Sequence, residues 1–137
     1  MANEAEAHAF FERFVTTSNE WSLEPINMYD KTAIIKRRVL KKNPVTVIVP
    51  LSEQEKILKT YNKNKKFLSG VKNNYKNIQI ASLGNDKYKI TALRCPSILD
   101  TCFDSYIIIQ KKNNEYKIIE EYSDVKSSYF LKYRDRK

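Results

Sequence analysis

SYIIIQKKNNEYKIIEEYSDV, residues 105–125, decides the reading of the fold. Asn113 and Asn114 tolerate positive φ and mark a tight turn between two strands. With these two as the turn, residue 111 pairs with 116, 109 with 118, 107 with 120 and 105 with 122. Side chains alternate across a sheet, so one face carries Phe103, Ser105, Ile107, Ile109, Tyr116, Ile118, Glu120 and Tyr122. The other carries Asp104, Tyr106, Ile108, Gln110, Lys117, Ile119 and Glu121. The first face is the more apolar and is expected to meet the helices. The run Ile107–Ile109 requires cover on both faces at that point. On the second face the apolar island Tyr106, Ile108 and Ile119 predicts either a small surface patch or an interface with a partner or second copy.

Working outward, Ala7, Phe11, Phe14, Ser18 and Trp21 share one helical stripe, predicting a helix over residues 4–21. A short helix follows from Leu23 to Tyr29, with Pro25 in its first turn. TAIIKRRVL and PVTVIVP read as strands around a turn at Asn43-Pro44. Ser52 and Glu55 have capping-box spacing before a helical pattern that runs to Tyr75, as one helix or as two broken near Gly70. Four strands in a meander complete the order, at 78–83, 87–95, 102–112 and 115–123. The expected class is therefore α+β: helices packed on a curved, mainly antiparallel sheet, in one domain over 1–137 with a possible tail at 126–137.

The 87–95 and 102–112 hairpin sets Cys95 opposite Cys102, favouring a disulfide, with two reduced thiols as the alternative. A disulfide implies an oxidising compartment, hence a periplasmic or secreted protein whose signal peptide is not in this sequence; the alternative is cytoplasmic. No stretch approaches the roughly 20 apolar residues of a membrane span.

Charge is uneven. The net of +9 divides into −5 over residues 1–30, +12 over 31–89 and +2 over 90–137. A basic middle invites an acidic partner, met by Lys36, Arg37 and Arg38 together with the island of Tyr106, Ile108 and Ile119. The bland reading is that scattered lysines simply solvate the surface. Nucleic acid is the weaker anionic partner, because Tyr61, Phe67 and Tyr75 sit at core-type helical spacing.

Several chemistries are disfavoured. Gly70 and Gly84 are the only glycines, too few for a phosphate-cradling loop. Two cysteines and His8 do not make a structural zinc site, and Cys95-x6-Cys102 is not a redox CxxC. No metal or cofactor is expected, and one histidine leaves no basis for a Ser–His–acid set.

The order of elements resembles the nuclear-transport-factor-2-like (cystatin-like α+β cone) superfamily. MYDKTAIIK at 28–36 is similar to that family's helix-to-strand passage, and residues 106–125 to its closing hairpin, with Tyr116 where the family usually has Trp. The resemblance covers nearly the whole chain and implies a cavity between sheet and helices. On it, Phe14, Trp21, Tyr29, Ser105, Ile107, Glu120 and Tyr122 are expected to line a ligand site, with Asp30 beside Tyr29 at the mouth. The catalytic motifs of its isomerases, cyclases and dehydratases do not match, so no catalytic residue is carried over. The expectation is a non-catalytic binding domain for a protein partner (the resemblance allows an immunity or secretion-accessory role) or for a small apolar ligand. The alternative is an isomerase-, dehydratase- or cyclase-like enzyme, and a homodimer through the sheet face is possible on either reading.

Overall fold

Asn113 and Asn114 adopt φ of 53° and 63°, and the hairpin they close pairs Lys111 with Tyr116 and Ile109 with Ile118, as expected. The computed structural model describes residues 3–134. Helix α1 (Glu4–Asn19) leads through a 3₁₀ turn (Glu24–Met28) into strands β1 (Tyr29–Val39) and β2 (Val45–Val49). Helices α2 (Leu51–Lys63) and α3 (Lys65–Leu68) follow, then β3 (Asn73–Gly84), β4 (Lys87–Pro96), β5 (Phe103–Lys112) and β6 (Glu115–Val125). A second 3₁₀ turn (Ser128–Tyr133) ends the described chain.

The six strands form one sheet in the order β2-β1-β6-β5-β4-β3, antiparallel except where β1 lies parallel to β6. The fold is thus α+β, with the helices on the concave face of a curled sheet. Asn3 starts α1 by accepting a hydrogen bond from the Glu6 N–H at 3.1 Å, and Glu4 and Glu6 suit the positive end of the helix. Its buried stripe of Ala7, Phe10, Phe11, Phe14 and Thr17 presses on Tyr88, Ile90 and Ile109 of the sheet. Ile35, Val47, Val49 and Ile118 continue this core.

Irregular pairing curls the sheet. Beyond Ile109↔Ile118 the ladder resumes at Ile108↔Glu120, so Ile119 is an extra residue that faces no partner. A second irregularity lies between Tyr29 and Ile34 of β1, and a third between Lys76 and Gln79 of β3, where Asn77 has φ 55°. Such bulges bend and twist a strand.

Four expectations are corrected. Because of the Ile119 bulge, Ile107 faces Glu121 rather than Glu120, and Ser105 faces Ser123 rather than Tyr122. The long helix ends at Leu68, and Tyr75 belongs to β3, whose pairing with β4 begins at Asn73↔Pro96. Helix α2 starts at Leu51 after Pro50, so Ser52 lies inside it rather than capping it. Helix α1 stops at Asn19, where Trp21 takes φ 56°. The tail is ordered as far as described, with Phe130 and Tyr133 packed on the core; residues 135–137 of the expected tail lie outside the described residues.

Candidate functional site

Alternation along β1 aims Ile35, Arg37 and Val39 inward, and the shifted ladder aims Glu121 and Ser123 of β6 inward beside them. Of these, Arg37, Glu121 and Ser123 form part of the wall of a cavity of about 480 Å³ between the sheet and the helices. Phe11, Phe14, Trp21, Tyr75 and Phe103 supply its aromatic surface. Within it the Tyr29 hydroxyl donates to Glu121 Oε1 at 2.7 Å, and Arg37 Nη2 donates to the same oxygen at 3.1 Å. Arg37 is only 8% exposed and Gln54, from α2, 6%. Among the described residues no hydrogen bond reaches Glu121 Oε2. Burial and then the neighbouring Glu121 hold the Tyr29 hydroxyl well above its ordinary range, so it stays protonated and donates. Burial lowers the Arg37 value, but Glu121 and Tyr29 outweigh it and raise the guanidinium overall.

A second guanidinium enters from β4. Arg94 shares the concave face with Tyr88, Ile90 and Ala92 and lies 5.0 Å from the Phe103 ring centroid. Its Nε donates to Ser123 Oγ at 3.0 Å, Nη1 to Asn73 Oδ1 at 3.3 Å and Nη2 to the Asp124 carbonyl at 2.9 Å. Beside it burial pushes the Tyr75 hydroxyl up to about 12.

Cys95 and Cys102 form a disulfide, their Cα atoms 4.2 Å apart. It closes a loop that brings Pro96, Ile98 and Leu99 to the cavity rim, Ile98 being 66% exposed. Opposite, Trp21 Nε1 donates to the Leu68 carbonyl at 2.9 Å and Asn62 donates to the Trp21 carbonyl at 2.8 Å, tying the ends of α1 and α3 together.

No protein family and no curated protein matches the sequence. Solved structures do. An NTF2-like protein of unknown function from Pseudomonas putida superimposes with a TM-score of 0.67 at 10% identity, covering 98% of this chain and 96% of its own. A protein of unknown function with a cystatin-like fold from Nostoc punctiforme gives 0.62 at 12%, covering 93% and 94%. This chain has the nuclear-transport-factor-2-like, cystatin-like fold. The beta subunit of the benzoate 1,2-dioxygenase from Burkholderia mallei shares it, with a TM-score of 0.65 at 14% identity over 94% of each chain. Identities this low establish the fold and leave the task of the cone to its own residues.

Of the residues expected in the nuclear-transport-factor-2-like cone, Phe14, Trp21, Tyr29, Ser105 and Ile107 line the cavity. Ser105 is occupied, its hydroxyl donating to the Ala92 carbonyl at 2.9 Å. Glu120 is misplaced by the bulge: it lies on the outer face, bonded to the Tyr106 hydroxyl and to Lys36 Nζ at 3.3 Å. Tyr122 borders the cavity from its strand, but its ring stacks on Tyr106 outside, with centroids 5.2 Å apart, and its hydroxyl meets Asp124. Asp30 binds Thr32 and Lys112 at the surface.

The predicted partner surface is also revised. Lys36 and Arg38 face outward, with Arg38 3.5 Å from Asp124, but Arg37 points into the cone. Tyr106 and Ile108 remain on the outer face, where Lys89 sits 4.4 Å above the Tyr106 ring, while Ile119 is the half-buried bulge residue. Sequence reasoning missed Arg37, Gln54, Tyr75, Arg94 and Glu121 as cone residues. One signal was available for Arg37: it has the same parity as Ile35 and Val39, the apolar side of its strand.

Proposed function

We propose that this chain is a non-catalytic binding module that holds a small, largely apolar molecule with a hydrogen-bonding end in its cone. The supporting observation is the cavity of about 480 Å³, aromatic-walled and bordered by the polar side chains of Arg37, Arg94 and Glu121. That volume falls within the roughly 300–1,000 Å³ of small-molecule sites. Among the described residues Glu121 is the one acid bordering the cavity, and it is held by both Arg37 and Tyr29. Two donors already occupy its Oε1, and no second acid or histidine borders the cavity among the described residues, which disfavours the isomerase-, dehydratase- or cyclase-like alternative. Trp21, the only tryptophan, borders the cavity and reports its occupancy. Titrating the protein with 2-naphthamide and 2-naphthoate is expected to change Trp21 emission saturably, and native mass spectrometry to detect the bound adduct. Linear dilution behaviour with neither compound retained overturns the reading.

The disulfide supports an exported, periplasmic setting, because cytosolic thiols are kept reduced. Thiol titration under denaturing conditions, on protein purified without reductant, decides this: two reactive thiols point to the cytoplasm. A second role, docking an acidic protein, is favoured by the helical side. Lys59, Lys63, Lys65 and Lys66 there make no ion pair among the described residues, and Phe67 in their midst is 86% exposed.

A further inference from the structure

We propose that the molecule held in the cone is an anion, an apolar carboxylate whose charge is received by the Arg94 guanidinium. The inference rests on the cone-binding reading and adds the ligand's charge and its place. Among the described residues four charged side chains border the cavity: Arg37, Arg94, Lys126 and Glu121. Arg37 and Glu121 satisfy each other at 3.1 Å. Arg94 has no carboxylate within ion-pair distance among the described residues. All three of its hydrogen bonds go to uncharged acceptors, the Ser123 hydroxyl, the Asn73 amide oxygen and the Asp124 carbonyl. The carboxylate of Asp124, the residue whose carbonyl Arg94 binds, is itself turned to Arg38 and the Tyr122 hydroxyl on the other face.

A guanidinium carries five N–H donors, and three are used here, leaving one on each terminal nitrogen. Two such N–H groups fit the two oxygens of a carboxylate. A cation removed from water without a counter-charge is unfavourable, and arginine does not relieve this by losing its proton. An anionic ligand relieves it. Arg94 is held in place by its three acceptors, so little ordering is needed on binding. Apolar surface shares the cavity with it: the Phe103 ring lies beneath the guanidinium, and Ile98 and Leu99 of the disulfide-closed loop stand at the rim. The site therefore asks for a charged head joined to an apolar body.

The test pairs acids with their isosteric amides, benzoate with benzamide and 2-naphthoate with 2-naphthamide, by isothermal titration calorimetry. At least one acid is expected to bind about ten- to a hundredfold tighter than its amide, the range of a charge-assisted hydrogen bond. Arg94→Gln is expected to bring the pair within about twofold by weakening the acid far more than the amide, and Arg94→Lys to keep part of the preference. Because Arg94 also bridges strands, a second measurement uses the unmutated protein: 2-naphthoate, and not 2-naphthamide, should protect Arg94 from phenylglyoxal, read by peptide mass spectrometry. Amide binding equal to acid binding, equal protection by both, or an acid preference that survives Arg94→Gln overturns the anion inference and leaves the cone reading standing. Failure of every acid and amide to bind removes both.

Discussion

At the scale of single residues the central feature is a buried ion pair. The Arg37 and Glu121 side chains are 9% and 13% exposed, and their bond at 3.1 Å is shared with the Tyr29 hydroxyl. Removing one member of a buried pair strands the other charge, so Arg37→Met or Glu121→Leu alone should cost about 3–5 kcal/mol. The double variant leaves no stranded charge and should cost far less than the sum, measured by urea unfolding as a double-mutant cycle. Additive losses would show that the two side chains are not coupled. Tyr75 gives a prediction with pH. Its hydroxyl lies at about 12 in the fold, chiefly through burial, against about 10 in an unfolded chain. Between these values the unfolded chain has released a proton that the folded chain keeps, so rising pH favours unfolding. Stability should fall by up to about 3 kcal/mol through this residue as pH climbs from 10 to 12. Tyr75→Phe removes that share, so the unmutated protein should lose up to about 3 kcal/mol relative to the variant over the window; a constant difference would contradict the assignment.

At the scale of elements the disulfide defines the mouth. Cys95 and Cys102 close a ring around Pro96–Thr101, whose Ile98 and Leu99 stand at the cavity rim. In the chain-entropy account a ring so short stabilises by about 2–3 kcal/mol. The Cys95→Ser/Cys102→Ser variant should therefore melt lower than the oxidised protein and match it under reductant. Equal midpoints in all three states would mean that the loop is held by its own packing. The same elements show what a sequence makes legible. The hairpin turn was readable because Asn113 and Asn114 state their backbone conformation locally, and the cysteine pair was readable from the neighbouring hairpin of β4 and β5. The face assignment beyond Ile118 was not readable. Ile118-Ile119-Glu120-Glu121 offers two isoleucines and two acids in series, so a bulged and a regular ladder look alike in pattern. The bulge at Ile119 bends and twists β6, a tertiary effect that the local pattern does not state. Tyr75 was lost to a helix for a similar reason: its spacing suits both periods, and only the pairing with β4 decides.

At the scale of the molecule the charge asymmetry of the sequence becomes an asymmetry of surfaces. The acids of α1 are partly answered within the fold, since Lys111 Nζ and the Tyr116 hydroxyl both reach Glu6. The α2-to-β3 segment has no such balance. From Lys56 to Asn85 there are seven lysines and no acid, and of these lysines only Lys56 forms an ion pair among the described residues, with Glu53. Phe67, 86% exposed between Lys66 and Leu68, is the kind of apolar anchor that a basic docking surface uses at its centre. If this face docks an acidic protein, a soluble poly-L-glutamate should bind it, with affinity falling steeply between 20 and roughly 150 mM salt as screening shortens to about 8 Å. Lys63→Gln/Lys65→Gln/Lys66→Gln should weaken that binding and flatten its salt dependence. Phe67→Ala should leave the salt dependence intact, because it removes contact area rather than charge. Cone occupancy by 2-naphthamide should be unaffected by the lysine changes, since none of the three borders the cavity. Binding of poly-L-glutamate that persists unchanged in the triple variant would return those lysines to a purely solubilising role.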